Sequence, residues 1–292
     1  MASGDALGAG YEFGPALPPS TVIVMDGGGP FDWAPGEWTD DSSMAIPLLQ
    51  ELATGNDLRD DAALDRVASA WISWAQTAKD VGNQVRAVTG AATAPTASAL
   101  RASADAFTAR NERSAGNGSL MRIAPVALGY LSDEGAAVEA ARASSSLTHP
   151  DPDAVEACVL WTVLIRRAVL TGSLDPAAAL AHVSPVWADR LAEAEQRMPI
   201  DFPHNGWVVH ALQAAWSGIR HGADAVDALE IIVRAGNDTD TVAAIAGGLI
   251  GAVHGESALP AAWRAKVHGW PGLRGDDLAA LAERAAVGLT RD

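Results

Sequence analysis

Thr39-Asp40-Asp41 and Asp238-Thr239-Asp240-Thr241 are two acidic clusters near opposite ends of the chain, each opening an apolar, helix-forming stretch. Carboxylates and threonine hydroxyls are the oxygen donors that hard divalent cations such as Mg²⁺ and Mn²⁺ take, so two such segments can supply ligands for a pair of ions. Capping is the simpler account, because acidic and hydroxyl side chains also stabilise helix starts. A cap needs one oxygen-bearing side chain, however, and each cluster offers at least three within four residues. The excess favours cation binding. If Asp41 and Asp238 share a site, the first and last thirds of the chain pack together, so residues 1–292 are expected to form one domain.

The elements that carry these residues are helical. Alanine-rich, periodic stretches predict helices over 42–54, 61–78, 95–110, 118–131, 134–145, 152–170, 176–198, 207–221, 223–235, 239–254 and 276–288. Asp151 and Asp175 precede Pro152 and Pro176 as caps, Asn237 precedes the helix that holds Asp240, and Gly222, Gly236 and Gly255 fit helix stops. The stretch 242–253 is apolar or small throughout, which suits a central helix. The best strand candidate is 21–25. Proline, glycine and aromatics in 27–38 and 198–206 mark the expected functional loops.

A formal charge of −16, from 36 acidic against 20 basic residues, repels phosphate backbones and anionic membranes. Nucleic acid is therefore not an expected partner. The one cysteine, Cys158, lies in an apolar run and cannot form an intrachain disulfide. No stretch reaches the roughly 18–20 apolar residues that span a bilayer, and the first residues resemble no signal peptide. A soluble cytoplasmic monomer is the expectation.

Other motifs are individually weak. Gly4-Asp5-Ala6-Leu7-Gly8 with Glu12, taken alone, reads better as a helix start with an ordinary exposed glutamate. Gly116-Asn117-Gly118-Ser119-Leu120-Met121-Arg122 could cradle phosphate on backbone N–H groups, although Asn-Gly is also a common turn. His149, in Leu147-Thr148-His149-Pro150, stands where capping or core hydrogen bonding is the commoner role, and most of the ten tryptophans must be packing residues.

Taken together and in this order, those motifs, with Trp38-Thr39-Asp40-Asp41-Ser42 and Gly236-Asn237-Asp238-Thr239-Asp240-Thr241, resemble the ADP-ribosylglycohydrolase family along nearly the whole chain. The likeness is greatest to the dinitrogenase-reductase-activating type. It implies an all-α, compact, single-domain orthogonal helical bundle with a centre of two Mg²⁺ or Mn²⁺ ions. It also implies hydrolysis of the glycosidic bond between ADP-ribose and an acceptor, on an ADP-ribosylated protein or a small-molecule conjugate. By motif position Thr39, Asp40, Asp41, Asp238, Asp240 and Thr241 would ligate the metals. Glu12 would be a catalytic or metal-proximal carboxylate, with Asp40 also in a catalytic position. The phosphates would lie against Asn117, Gly118 and Ser119 near His149, and Trp207 would stack on adenine where relatives carry tyrosine.

Asp80-Val81-Gly82-Asn83 resembles an Asp-x-Gly-Asn element of arginine-directed members, which makes Asp80 and Asn83 acceptor-side residues. A carboxylate there pairs bidentately with a guanidinium, and a solvated aspartate beside Lys79 is the plain alternative. The resemblance thus implies an ADP-ribosyl-arginine hydrolase. O-linked or nucleobase-linked ADP-ribose, or an inactive crystallin-like binder, are the alternatives. Only Met1, Ala2 and Ser3 precede the first motif, so either its helix is short or the start was chosen late.

Overall fold

The structure, a computed structural model that describes residues 1–288, is built of α-helices joined by loops, with a single short β-ribbon among the described residues. In chain order the α-helices are α1 (Ala2–Gly8), α2 (Asp40–Ala53), α3 (Asp61–Trp74), α4 (Asn83–Ala91), α5 (Ala97–Thr108), α6 (Ala124–Gly129), α7 (Glu134–Ser146) and α8 (Pro152–Thr171). They continue as α9 (Pro176–Leu180), α10 (Val186–Ala194), α11 (Val208–His221), α12 (Ala225–Arg234), α13 (Thr239–His254), α14 (Ala261–Lys266) and α15 (Gly275–Gly288). One antiparallel ribbon, β1 (His268–Gly269) with β2 (Leu273–Arg274), pairs His268 with Arg274 and Gly269 with Leu273. The all-α expectation holds.

The centre of the molecule is α13, because a helix apolar or small on every side can only be buried. It packs against α1, α8, α11 and α12, and Trp161 of α8 donates its indole N–H to the Ile245 carbonyl at 3.0 Å. Helix α8 starts as its sequence dictates: Asp151 accepts from the Asp153 N–H, Pro152 opens the first turn and Gly172 ends the helix at φ 66°.

Several helix boundaries differ from the expected ones. The stretch 176–198 is broken into α9 and α10, since Pro185 cannot donate within a continuous helix and instead starts the second. The expected helix over 118–131 begins with a 3₁₀ turn at Asn117–Ser119, and α6 forms only from Ala124, with Pro125 in its first turn. Residues 21–25 alternate as a strand would, with Ile23 and Met25 buried and Val22 and Val24 exposed, yet they find no partner strand among the described residues. The Tyr11 hydroxyl accepts from the Val24 N–H and donates to its carbonyl in place of a ladder. Helices α4 and α14 and the ribbon lie outside the expected set; each is too short for apolar periodicity to register.

The short first helix positions the site. Gly4 and Gly8, one turn apart, let the backbone of α1 lie directly on α13: a Cβ on Gly4 would stand 2.1 Å from the Ala243 carbonyl oxygen, and one on Gly8 2.4 Å from Cα of Asp240. Asp5, fully buried between them, turns the other way and accepts from the N–H groups of Thr39 and Ser42, both at 2.9 Å. Helix α1 thus clamps the start of α2 to the start of α13.

Candidate functional site

That clamp brings the two acidic clusters together. One oxygen each from Asp5, Asp41 and Asp240 lie within 4.8 Å of one another, as do those from Glu12, Asp238 and Asp240. Asp240 belongs to both groups. Thr39 is the N-cap of α2 but makes no side-chain capping bond; its hydroxyl donates to Asp41 Oδ2 at 2.9 Å. The capping account of this cluster therefore fails.

Burial raises every carboxyl here. Glu12 is pushed up to about 9, by burial and then by the charges of Asp238, Asp80 and Asp40. Burial, reinforced by neighbouring carboxylates, lifts Asp40, Asp41 and Asp240 well above the ordinary range. Asp238 is also raised by burial, with the Asn117 amide working against it. Asp80 rises to about 6, through burial and the Asp238 charge. Like charges this crowded need counter-charge or protons.

The donor set fits hard divalent cations. Glu12 Oε2, Asp41 Oδ1 and Asp240 Oδ1 are buried with no hydrogen-bond partner among the described residues. Left-over carboxylate oxygens from three separate chain segments are the ligands such an ion requires, whereas a structural network would have satisfied them. Asp5 joins this group although its motif alone predicts only a helix start. The signal was in the sequence, since Gly4 and Gly8 flank a lone acid in an otherwise apolar turn.

Above the carboxylates opens a cavity of about 540 Å³. Glu12, Asp40, Asp80, Asn83, Asn117, Gly118, His149, Asp238 and Thr241 line it, while Thr39, Asp41 and Asp240 are buried outside its lining. Trp207 lies in an adjoining cavity of about 570 Å³ that shares Arg113, Gly116 and Gly206 with the first. Trp207 is 40% exposed, whereas the other tryptophans are buried or half-buried.

Other expected phosphate contacts sit differently. The Ser119 side chain is fully buried, bonded to Ser145 at 2.9 Å and Cys158 at 3.4 Å, so its hydroxyl does not reach the cavity. The Asn117 N–H is not free to cradle an anion, because it donates to the Gly206 carbonyl at 3.1 Å. The Asn117 amide donates instead to Asp238 Oδ2 at 2.7 Å and the Asn205 carbonyl at 2.8 Å, tying the loop to the acidic cluster.

His149 is better placed. Arg122, buried over the Trp71 ring at 4.1 Å, donates to the Gly118 carbonyl, the Ser144 carbonyl and Thr148 Oγ1. Thr148, accepting from a guanidinium, turns its own proton to His149 Nδ1 at 2.8 Å. Burial, then the Arg122 charge, keeps His149 well below its ordinary pKa and neutral. Its Nε2 therefore carries the proton, and that atom lies beside Gly116 and Gly118 at the cavity wall.

A helical frame that holds unneutralised carboxylates beneath a ligand-sized cavity has the makings of a hydrolase site, and its relatives bear this out. The ADP-ribosylarginine hydrolase Tri1 of Pseudomonas putida (strain GB-1) is 32% identical over 280 residues, covering 91% of this chain and 72% of that protein. The ADP-ribosyl-[dinitrogen reductase] glycohydrolase of Rhodospirillum rubrum is 28% identical over 285 residues, covering 91% and 87%. A solved ADP-ribosylglycohydrolase-related protein complex superposes with a TM-score of 0.79 at 28% identity, over 99% of this chain and 95% of that one. The ADP-ribosylglycohydrolase model matches residues 1–292, and the chain belongs to that family.

Proposed function

We propose that the protein is a metal-dependent hydrolase that removes ADP-ribose from arginine, with the whole chain acting as one domain. The observation that carries this reading is the set of partnerless buried oxygens on Glu12, Asp41 and Asp240, beneath a cavity lined by Glu12 and Asp80. The names of relatives that act on ADP-ribosylated arginine and dinitrogen reductase support the substrate class.

Two Mg²⁺ or Mn²⁺ ions would be held by Thr39, Asp40, Asp41, Asp238, Asp240 and Thr241, with Glu12 beside them. Bound there, they would offset the carboxylate charge and act as Lewis acids toward the ribose hydroxyls. The chain's own residues do the rest. Asp80 pairs with the guanidinium of the acceptor and keeps it protonated, so that it departs as a neutral guanidine when the anomeric C–N bond breaks. Water attacks the anomeric carbon, and its proton passes to Glu12 or Asp40. His149 Nε2–H donates to a phosphate oxygen, Asn83 flanks the acceptor, and Trp207 offers its face to adenine.

Hydrolysis of ADP-ribosyl-arginine, assayed beside serine-linked ADP-ribose with and without chelator, tests this. Turnover of the arginine linkage that requires Mg²⁺ or Mn²⁺ and disappears in Asp240→Ala is the expected result. Turnover that survives chelation, or ADP-ribose binding without cleavage of any linkage, refutes it.

A further inference from the structure

Glu12 and Asp80 share their cavity with an aromatic wall that neither metal nor phosphate needs. Phe13, next to Glu12, is 67% exposed and held at φ 58°, a conformation that is costly for a bulky side chain. Its backbone is pinned there: the Phe13 N–H donates to the Asn237 carbonyl at 2.6 Å, and the Asn237 N–H to the Gly14 carbonyl at 2.8 Å. The turn that precedes Asp238 therefore fixes an exposed ring at the cavity.

The ring does not stand alone. Phe13 meets Phe31 edge-on with centroids 6.4 Å apart, Phe31 meets Trp33 at 6.0 Å, and Lys79 Nζ lies 5.0 Å from the Trp33 centroid. Lys79 precedes Asp80 in sequence. The row of rings thus runs from Phe13 through Phe31 to Trp33, where Lys79 pairs with Glu37 at 2.7 Å, and Phe13 and Phe31 line the same cavity as Glu12 and Asp80. A strained, exposed phenylalanine gains little burial for itself, so what offsets its cost is contact with a ligand. Aromatic faces are electronegative, and together with carboxylates they suit a flat, weakly hydrated cation.

We propose that Phe13 and Phe31 form an acceptor-side wall that selects a planar guanidinium over a neutral acceptor. This deepens the arginine reading above and rests on it. The two rings determine specificity through contact with the leaving group, while the proton transfers stay with the carboxylates.

The test uses Phe13→Leu, Phe31→Leu and the double variant, with Phe13→Tyr to restore a π-face. On ADP-ribosyl-arginine the leucine variants should raise KM about 2–30-fold with kcat little changed, and Phe13→Tyr should return KM toward wild type. ADP-ribose affinity by calorimetry should not move, because ADP-ribose lacks the acceptor. Equal weakening of ADP-ribose, or an unchanged KM in the double variant, overturns the proposal. If wild type cleaves no arginine linkage, the function reading has failed, and the wall is then read by NMR titration of benzylguanidine and benzyl alcohol with ADP-ribose present. Selective loss of benzylguanidine in the double variant supports the wall; equal behaviour of the two probes overturns it.

Discussion

Gly8→Ala separates the clamp from the chemistry, because residue 8 donates no side-chain group to the cavity. The added Cβ would lie 2.4 Å from Asp240 Cα, 2.5 Å from its N and 2.6 Å from the Thr239 carbonyl carbon. Carbon atoms rest at about 3.5–4.0 Å, so α1 and α13 must part by roughly 1 Å. Backbone on both sides leaves no flexible side chain to yield, and overpacking of this kind costs about 1–3 kcal/mol. The Thr239 hydroxyl also bonds the Gly8 carbonyl at 2.9 Å and would be pulled with it. Asp240 belongs to both carboxylate groups, so this displacement loosens both. A misplacement of about 1 Å in such a site lowers turnover on the order of 100-fold. Gly251→Ala on the same helix is the control: a Cβ there meets nothing within 4 Å, and helix propensity should stabilise it by about 1 kcal/mol. Hydrolysis rates, calorimetric Mn²⁺ titration and thermal melts read the outcome. Gly8→Ala with wild-type turnover and metal affinity would refute the view that the glycine contact sets the site.

Metal-free protein should lose stability as pH rises. Glu12 is raised to about 9 in the fold while a free glutamate titrates near 4.3, so between those values the native state binds the extra proton and each step up in pH costs stability. Melting temperature in chelator should fall from pH 5 to 9, and saturating Mg²⁺ should flatten the slope and add about 2.7 kcal/mol at 100 times Kd. A flat profile in chelator would contradict the assigned crowding. Arg122→Met should cost about 2–4 kcal/mol in denaturant melts, since it strips buried partners from Thr148 and the carbonyls of Gly118 and Ser144. It should also weaken ADP-ribose binding by freeing the His149 tautomer, and unchanged stability would argue against the network.

Much of this architecture was legible in the residues. The acidic clusters announced themselves by carrying more oxygens than a cap uses, and the long helices were marked at their ends: α8 by Asp151-Pro152 at its start and Gly172 at its stop, α13 by its apolar run and Gly255. What stayed hidden depends on contacts between distant segments. Nothing local distinguishes 21–25 from a strand, because its alternation is real and only the partner is missing. Motif position put Ser119 against the phosphates, yet packing against Ser145 and Cys158 turns it inward. Asp5 was legible as a motif member but not as the residue whose two oxygens hold the start of α2.

The cavity is electrically divided, and that division orients whatever binds. Glu12, Asp40, Asp80 and Asp238 crowd one end, relieved only in part by Arg86 near Asp80, so an anion approaching there meets a net negative charge. The wall toward Trp207 carries the His149 N–H and Arg113, and Arg113 is shared with the adjoining cavity. A diphosphate is repelled from the first end and attracted to the second. Under the proposed function, the distal ribose and guanidinium are therefore driven to the carboxylates while the phosphates cross the shared wall toward Trp207. The net charge of −16 opposes an anionic substrate in general, so this local reversal of sign has to do the steering. Binding of ADP-ribose should accordingly weaken with salt at the Arg113 wall and strengthen with divalent cations at the acidic end, two opposite ionic responses from one ligand.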